Sequence, residues 1–214
     1  MDLDPVEIRV LGCLVEKQRT TPDVYPLSLN SLRGACNQST NRDPVVDYDE
    51  PTIRSALDRL SRRGWVRLAS GPGSRAVKFR HLLDDALDLP DPELALLTVL
   101  MLRGAQTPGE LKQRAERLYP FDSLAGVEQT LTELVSRELV ARQPRRPGQK
   151  EQRYTHLLGG ESVEVDAEPS VPGPADDRIG RLEERVERLE EQLAALQRAP
   201  TVGEAPGEAE SSWE

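Results

Sequence analysis

The chain has 214 residues, of which 37% are hydrophobic and 30% charged, a composition typical of one or two soluble globular domains. Its formal net charge of −9 is unevenly divided, because residues 1–160 hold 23 Lys and Arg against 22 Asp and Glu, whereas residues 161–214 hold 5 against 15. The acidity therefore belongs to the C-terminal tail, and the low overall pI does not argue against nucleic-acid binding by the body.

The N-terminal residues, MDLDPVEIRV, lack a basic segment followed by an apolar stretch, so no signal peptide is predicted. The longest apolar run, near residues 94–102, is far too short to span a membrane. Cys13 and Cys36 are too few for a zinc site built on cysteine and fit a reducing compartment. We therefore expect a cytoplasmic protein that has no membrane association.

One pattern of elements occurs twice, in a first copy over residues 1–86 and a second copy over residues 87–158. Each copy opens with Asp-Pro and apolar residues at helical spacing, and a Thr-Pro turn then leads toward a second helix. The third helices match best, since the segment 53–68 repeats after 74 positions as 127–142. Each runs into a short strand, a basic Gly/Pro turn and a returning strand that ends on His-Leu-Leu.

Three helices followed by a hairpin are the element order of a winged helix-turn-helix. We therefore predict a mainly α protein with small β-hairpins (α+β), composed of two tandem winged helix-turn-helix domains. Each copy is long enough for one small hydrophobic core. The alternative is a pair of generic α+β domains.

The segment GACNQSTNRDPVVDYDE, residues 34–50, is a long polar connection between the second and third helices of the first copy. Asp43-Pro44 disfavours helix, and Val45 and Val46 are predicted to form a short strand beside the hairpin. Its amide and guanidinium side chains permit two interpretations. They contact a DNA backbone, or they hydrogen-bond the loop to itself.

The run TTPDVYPLSLNSLRGACNQSTNRDPV at residues 20–45, followed by the helix TIRSALDRL, resembles the YceH-like family of bacterial proteins. The resemblance covers about residues 4–158 and implies two winged-helix domains. It implies neither an established activity nor any catalytic residue. It also implies that the family's hallmark surface is formed by five residues, called here the hallmark set: Tyr25, Asn37, Gln38, Asn41 and Arg42.

Basic residues on the third helix and the hairpin form a candidate DNA-binding surface. In the first copy, Ile53, Leu57 and Leu60 are expected to face inward, which leaves arginines on the other faces to neutralise phosphates. The third helix of the second copy is acidic, but its hairpin turn is basic. The alternative is an ordinary solvated helix face. The candidate residues are Arg54, Arg59, Arg62, Arg75, Lys78, Arg145, Arg146 and Lys150.

The tail divides into an acidic Pro/Gly linker over residues 159–175, a helix over 176–198 and a disordered segment over 199–214. Apolar residues in the helix follow a heptad spacing, with β-branched residues at most a positions and Leu at d, which favours a parallel two-stranded coiled coil. We therefore expect a homodimer through residues 176–198. The alternative is a single helix that packs back on the body or frays. The predicted seam is Ile179, Leu182, Val186, Leu189, Leu193 and Leu196.

No motif for catalysis is found in the sequence, because it contains neither a phosphate-binding glycine loop nor a dinucleotide fingerprint. His81 and His156 occupy equivalent hairpin ends and are interpreted as structural. We expect no enzyme activity, no metal and no cofactor. The favoured hypothesis is a dimeric transcriptional regulator that binds duplex DNA. The alternative is a protein-interaction module of a larger, for example chromosome-organising, complex, which the acidic tail and the acidic helix favour.

Overall fold

The computed structural model describes residues 2–69, 77–144 and 151–159, which form seven α-helices and five short strands. This confirms the predicted mixture of helices and small antiparallel sheets. In the first copy the elements are α1 (Pro5–Thr20), a 3-10 turn (Pro22–Val24), β1 (Leu27–Ser28), α2 (Leu29–Cys36), α3 (Glu50–Arg62), β2 (Val66–Leu68) and β3 (Lys78–His81). They are followed by α4 (Leu83–Leu87), α5 (Asp91–Arg103), α6 (Pro108–Ala115), α7 (Leu124–Ser136), β4 (Val140–Arg142) and β5 (Tyr154–His156).

The sheets give the two copies the same strand arrangement. In the first copy the order is β1-β3-β2, with antiparallel pairing throughout. In the second copy β4 pairs with β5. There the place of β1 is taken by Gln106, which exchanges two backbone hydrogen bonds with Tyr154, at N···O distances of 3.0 and 2.8 Å.

The prediction of a strand at Val45 and Val46 is wrong, because the third strand of the first sheet is β1. Leu27 in β1 is buried and lies opposite Phe79 of β3, whereas Val45 is 59% exposed. A strand register is selected by burial of the side chains on one face of the sheet. Leu27 gains this burial and Val45 does not, so the strand forms at Leu27.

The Asp-Pro opening of the first copy caps its first helix as predicted, and polar side chains cap the other two helices of that copy. The Asp4 side chain accepts a hydrogen bond from the Glu7 backbone in a complete capping box, and Ser28 and Asp49 cap α2 and α3. In the second copy Asp91 lies inside the first turn of α5 instead of capping it, and its carboxylate accepts hydrogen bonds from Arg19. That carboxylate still complements the positive end of the helix dipole.

The first helices of the two copies, α1 and α5, pack against each other at Gly12. A Cβ atom at this position would lie 2.8 Å from Cδ2 of Leu102, which is closer than packed carbon atoms approach. Buried side chains of both copies, such as Leu11 and Leu97, therefore belong to a single hydrophobic core. Both copies fall within one compact unit, Met1–Val163.

Two parts of the sequence interpretation lie outside the described residues. These are the tail with its predicted coiled-coil seam and the tips of both hairpins. Within the described ranges, no helix combines the length and the apolarity that a bilayer crossing requires.

The close approach at Gly12 predicts opposite effects for the same substitution in two helices. Alanine is favoured over glycine in a helix interior by about 1 kcal/mol. Gly34→Ala in α2 should gain this stability, because nothing lies within 4 Å of the added methyl group. Gly12→Ala should instead lower the free energy of unfolding, by about 1 kcal/mol or more, because Leu102 is buried and must move. Urea denaturation of both variants tests this, and equal stabilisation would contradict the described packing.

Candidate functional site

Arg42 of the hallmark set is buried, and all five N–H groups of its guanidinium have partners in the protein. Nη1 and Nη2 donate to the two carboxylate oxygens of Glu16 at 3.0 and 2.6 Å. Nε donates to the carbonyl of Ala35 at 3.1 Å, and the remaining two N–H groups donate to the Asn41 carbonyl and the Gln38 amide oxygen. The side chain has no donor left for a phosphate.

Asn37 ends α2 and fixes the far side of the loop. Its amide nitrogen donates to the Tyr48 carbonyl at 2.8 Å, and its amide oxygen accepts from the Tyr48 N–H at 2.9 Å. Between these anchors, the Asp43 N–H donates to the Leu102 carbonyl of α5 at 2.9 Å. The loop between α2 and α3 thus joins the first copy to the first helix of the second copy.

The other hallmark residues also contact neighbouring elements. The Tyr25 hydroxyl accepts a hydrogen bond from the His81 backbone at 2.8 Å, and burial raises the pKa of Tyr25 to about 12. Asn41 adopts a left-handed backbone conformation with φ of 60°, which Asn tolerates better than most residues, and its amide oxygen accepts from Arg103. Hydrogen bonds within the molecule therefore occupy most side chains of the hallmark set.

The cysteines lie beneath the same loop. Both are buried, and the Cys13 thiol donates to the Ala35 carbonyl at 3.3 Å. Contact with Cys13, followed by burial, raises the pKa of Cys36, so its thiol is held protonated and is a poor nucleophile.

The candidate DNA-binding residues differ in their exposure and in their partners within the protein. Arg54 and Arg62 are exposed on α3, and Arg54 pairs with Glu50 one turn earlier. Arg59 pairs with Asp4 and the buried Glu7 of α1, so its charge is neutralised within the first copy. Lys78 lies in β3. The remaining four candidates lie outside the described residues: Arg75, Arg145, Arg146 and Lys150.

Two further arginines strengthen the basic character of this surface. Arg67 of β2 and Arg80 of β3 are directly opposite each other in the antiparallel ladder. Neither has a carboxylate partner within the described ranges. Like charges at opposed positions repel each other and destabilise a sheet, and a bound anion would remove that cost. Both positions lie in segments that the sequence predicts as hairpin strands, but only the register shows that they are opposite each other.

The second copy presents a different surface at the equivalent helix, α7. Its exposed face carries Glu128 and Glu133, Glu138 follows the end of the helix, and Arg137 pairs with the Glu93 carboxylate at 2.7 Å. This acidic face would repel phosphates.

His81 is held in its neutral form. Its Nδ1 accepts from the Leu83 backbone at 3.3 Å, which leaves the proton on Nε2, next to the Gln18 amide oxygen. Burial lowers the pKa of His81 to about 4 and that of His156 to about 4.

Comparison with known proteins relates nearly the whole chain to a single family. The family model described as "Protein of unknown function, DUF480" matches residues 3–149. The chain is 51% identical over 209 residues to a UPF0502 protein of Pelobacter propionicus, covering 92% of this chain and 94% of the relative. A UPF0502 protein of Geotalea uraniireducens is 50% identical over 200 residues, and one of Geobacter metallireducens is 51% identical over 193 residues. They cover 92% and 85% of this chain, and 91% and 87% of the respective relatives.

Arg42→Ala should lower the free energy of unfolding by about 3 kcal/mol or more, because Glu16 would be left with its main partner removed from a largely buried site. Arg54→Ala is the matched control. Its pair with Glu50 is exposed on both sides, and loss of such a pair costs about 0.5 kcal/mol or less. Urea denaturation compares the two variants. A loss of stability at Arg42 as small as that at Arg54 would contradict the structural role.

Because His81 is buried in its neutral form, we expect the free energy of unfolding to fall as the pH decreases from about 6.5 to 4. The unfolded histidine binds its proton near a pKa of about 6.5, whereas folded His81 binds it only near 4, so the unfolded state takes up more protons in this range. At the lower end His81 should account for roughly 3 kcal/mol. Denaturation at several pH values, with His81→Gln and wild type, measures the slope. The variant should show a shallower pH dependence; an unchanged slope would show that His81 is not the titrating group.

Proposed function

The chain belongs to the DUF480 family, as its resemblance to an uncharacterised bacterial family had indicated, and we propose that it is a non-enzymatic winged-helix protein that binds duplex DNA through its first copy. A regulatory role as a homodimer joined through residues 176–198 is part of the proposal, although that segment lies outside the described residues.

The order and pairing of the elements support a winged helix in each copy. Three helices are followed by a two-stranded antiparallel hairpin, and a third strand or a single bridge precedes the second helix. In helix-turn-helix proteins the last of these helices lies in the major groove. In the first copy that helix is α3, whose exposed arginines, Arg54 and Arg62, are available to a ligand.

The observation that carries the DNA proposal is the opposed pair Arg67 and Arg80. Like charges at opposed positions destabilise a sheet, and no carboxylate within the described ranges neutralises either side chain. A phosphate backbone beside the hairpin would neutralise both charges. Together with Arg54 and Arg62 they are the basic residues of α3, β2 and β3 to which we assign the duplex, called here the α3–hairpin face.

Arg59 is not part of this face, because it is bound to Asp4 and Glu7. The second copy contributes little to it, since α7 is acidic on its exposed side. DNA contact is therefore assigned to one copy, and the second copy supports it through the shared core.

A second candidate function, protein binding, is favoured by α7. Beside its exposed glutamates, Leu124 is 44% and Val135 is 37% exposed. Apolar side chains surrounded by acidic ones fit a partner protein with a mixed apolar and basic surface better than they fit a nucleic acid.

Fluorescence anisotropy of a labelled mixed-sequence duplex with the full chain tests the DNA proposal. Arg67→Gln combined with Arg80→Gln should weaken affinity by about tenfold or more, and should reduce the slope of log affinity against log salt by about 2. The control removes two cations elsewhere, with Arg33→Gln and Lys112→Gln on α2 and α6. The affinity of this control variant for the duplex should stay within about twofold of wild type, well below the tenfold change that corresponds to about 1.4 kcal/mol. Absence of binding at low salt, or equal losses in both variants, would overturn the proposal.

A further inference from the structure

A cavity of about 600 Å³ lies between the two copies, on the side where the loop between α2 and α3, called here the hallmark loop, meets the second copy. Its walls come from the C-terminal end of α1, from the loop between α2 and α3, from the end of α5 and from α6. This volume is within the range of about 300–1,000 Å³ that small-molecule sites occupy in proteins.

Positive charge dominates the cavity wall. Four cationic side chains line it, against the single carboxylate of Glu16; the cations are Lys17, Arg103, Arg114 and Arg117. Both oxygens of Glu16 already accept hydrogen bonds from the buried Arg42, and Lys17 lies 3.5 Å from the same carboxylate. The one acidic residue in the wall is therefore engaged by Arg42 and Lys17, and only part of its charge acts on the arginines of the wall.

The arginines of the second copy lack sufficient counter-charge of their own. Arg103 is half-buried and hydrogen-bonds to the Asn41 amide oxygen, a neutral partner. Burial, followed by the nearby Arg114 guanidinium, lowers the pKa of Arg103, and the opposing attraction of Glu16 and Asp43 does not cancel this effect. Among the described residues, neither Arg103 nor Arg117 pairs with a carboxylate, and Arg114 shares Glu110 with Arg153.

The rest of the wall is chemically mixed. Hydroxyl and amide groups line one part of it, and three aliphatic side chains line another. The polar residues are Thr20, Thr21, Gln38, Thr40, Asn41 and Gln113. The aliphatic residues are Val99, Leu102 and Leu118.

From this arrangement we infer that the cavity binds a small molecule that carries two or more phosphates on a polyhydroxylated, partly apolar body, as a nucleoside di- or triphosphate does. Guanidinium groups bind phosphate through paired, charge-assisted hydrogen bonds, and several of them converging favour more than one phosphate. The threonine hydroxyls and amides match sugar hydroxyls, and the aliphatic wall matches a base. A single phosphate would leave most of the charge unbalanced.

The hallmark loop would then both join the two copies and form part of the ligand site. The side chains of Arg42 and Asn37 hold the loop in place, while Gln38 and Asn41 line the cavity. The site lies apart from the α3–hairpin face and does not depend on DNA binding. Because the ligand would touch both copies, its binding should stabilise their packing and raise the thermal midpoint of the full chain.

Isothermal titration of the full chain at low salt, with ATP, GTP, inorganic pyrophosphate and adenosine as probes, tests the inference. At least one nucleoside triphosphate should bind with one-to-one stoichiometry and raise the thermal midpoint, and adenosine should not bind. Arg103→Gln combined with Arg117→Gln should weaken binding by about tenfold or more. Arg67→Gln combined with Arg80→Gln, which removes two arginines outside the cavity, should leave it within about twofold of wild type.

The single variant Arg117→Gln distinguishes a loss of binding from a loss of folding. Arg117 is exposed and has no protein partner among the described residues, so its replacement should weaken binding without lowering the melting temperature. The inference is overturned if none of the phosphorylated probes binds, or if both double variants lose affinity equally. It is also overturned if the cavity variant impairs duplex binding while no small phosphate binds, since the cations would then serve DNA. No DNA is present in the titration, so its failure is distinct from a failure of the DNA proposal.

Discussion

The buried pair of Arg42 and Glu16 is the interaction on which the arrangement of this protein depends. Removing two charges from water is costly, and the cost is recovered only when the remaining hydrogen-bonding groups are satisfied. Here every guanidinium N–H has an acceptor. The pair holds the loop between α2 and α3 against α1, and the same loop donates the Asp43 N–H to α5. One ion pair therefore supports both the first copy and its junction with the second.

Two sets of arginines among the described residues differ in their partners. Arg42, Arg59 and Arg137 are bound to buried or partly buried carboxylates and contribute to the fold. Arg67 and Arg80 on the hairpin have no such partner within the described ranges, and neither has Arg103 in the cavity wall. Charges without a carboxylate partner are the ones that an anionic ligand can use, and those of the hairpin and those of the cavity wall belong to different elements. This difference is why one surface is assigned to DNA and the other to a small phosphate.

Much of the local structure follows from the sequence because it depends on neighbours in the chain. The capping residues Asp4, Ser28 and Asp49 act within a single turn, and the apolar spacing of α3 places Ile53 and Leu57 in the core. Features set by tertiary contact were beyond such reasoning. Nothing near Arg59 in the sequence indicates that α1 neutralises it, and the role of β1 depends on pairing with a strand about fifty residues later. The cavity likewise combines residues of α1 with residues of α5 and α6.

The two copies share a strand arrangement but differ in surface charge, and they pack into one hydrophobic core. At Gly12 the helices α1 and α5 approach too closely for an added methyl group without movement of Leu102. The exposed residues of α7 can differ from those of α3 because the buried residues of each helix supply the shared core. The cavity is a product of the same packing, because its cations belong to both copies and converge only when α1 and α5 meet. A ligand that bridges the copies and a duplex that contacts the first copy would consequently act on the same core, and any effect of one on the affinity of the other must be reciprocal.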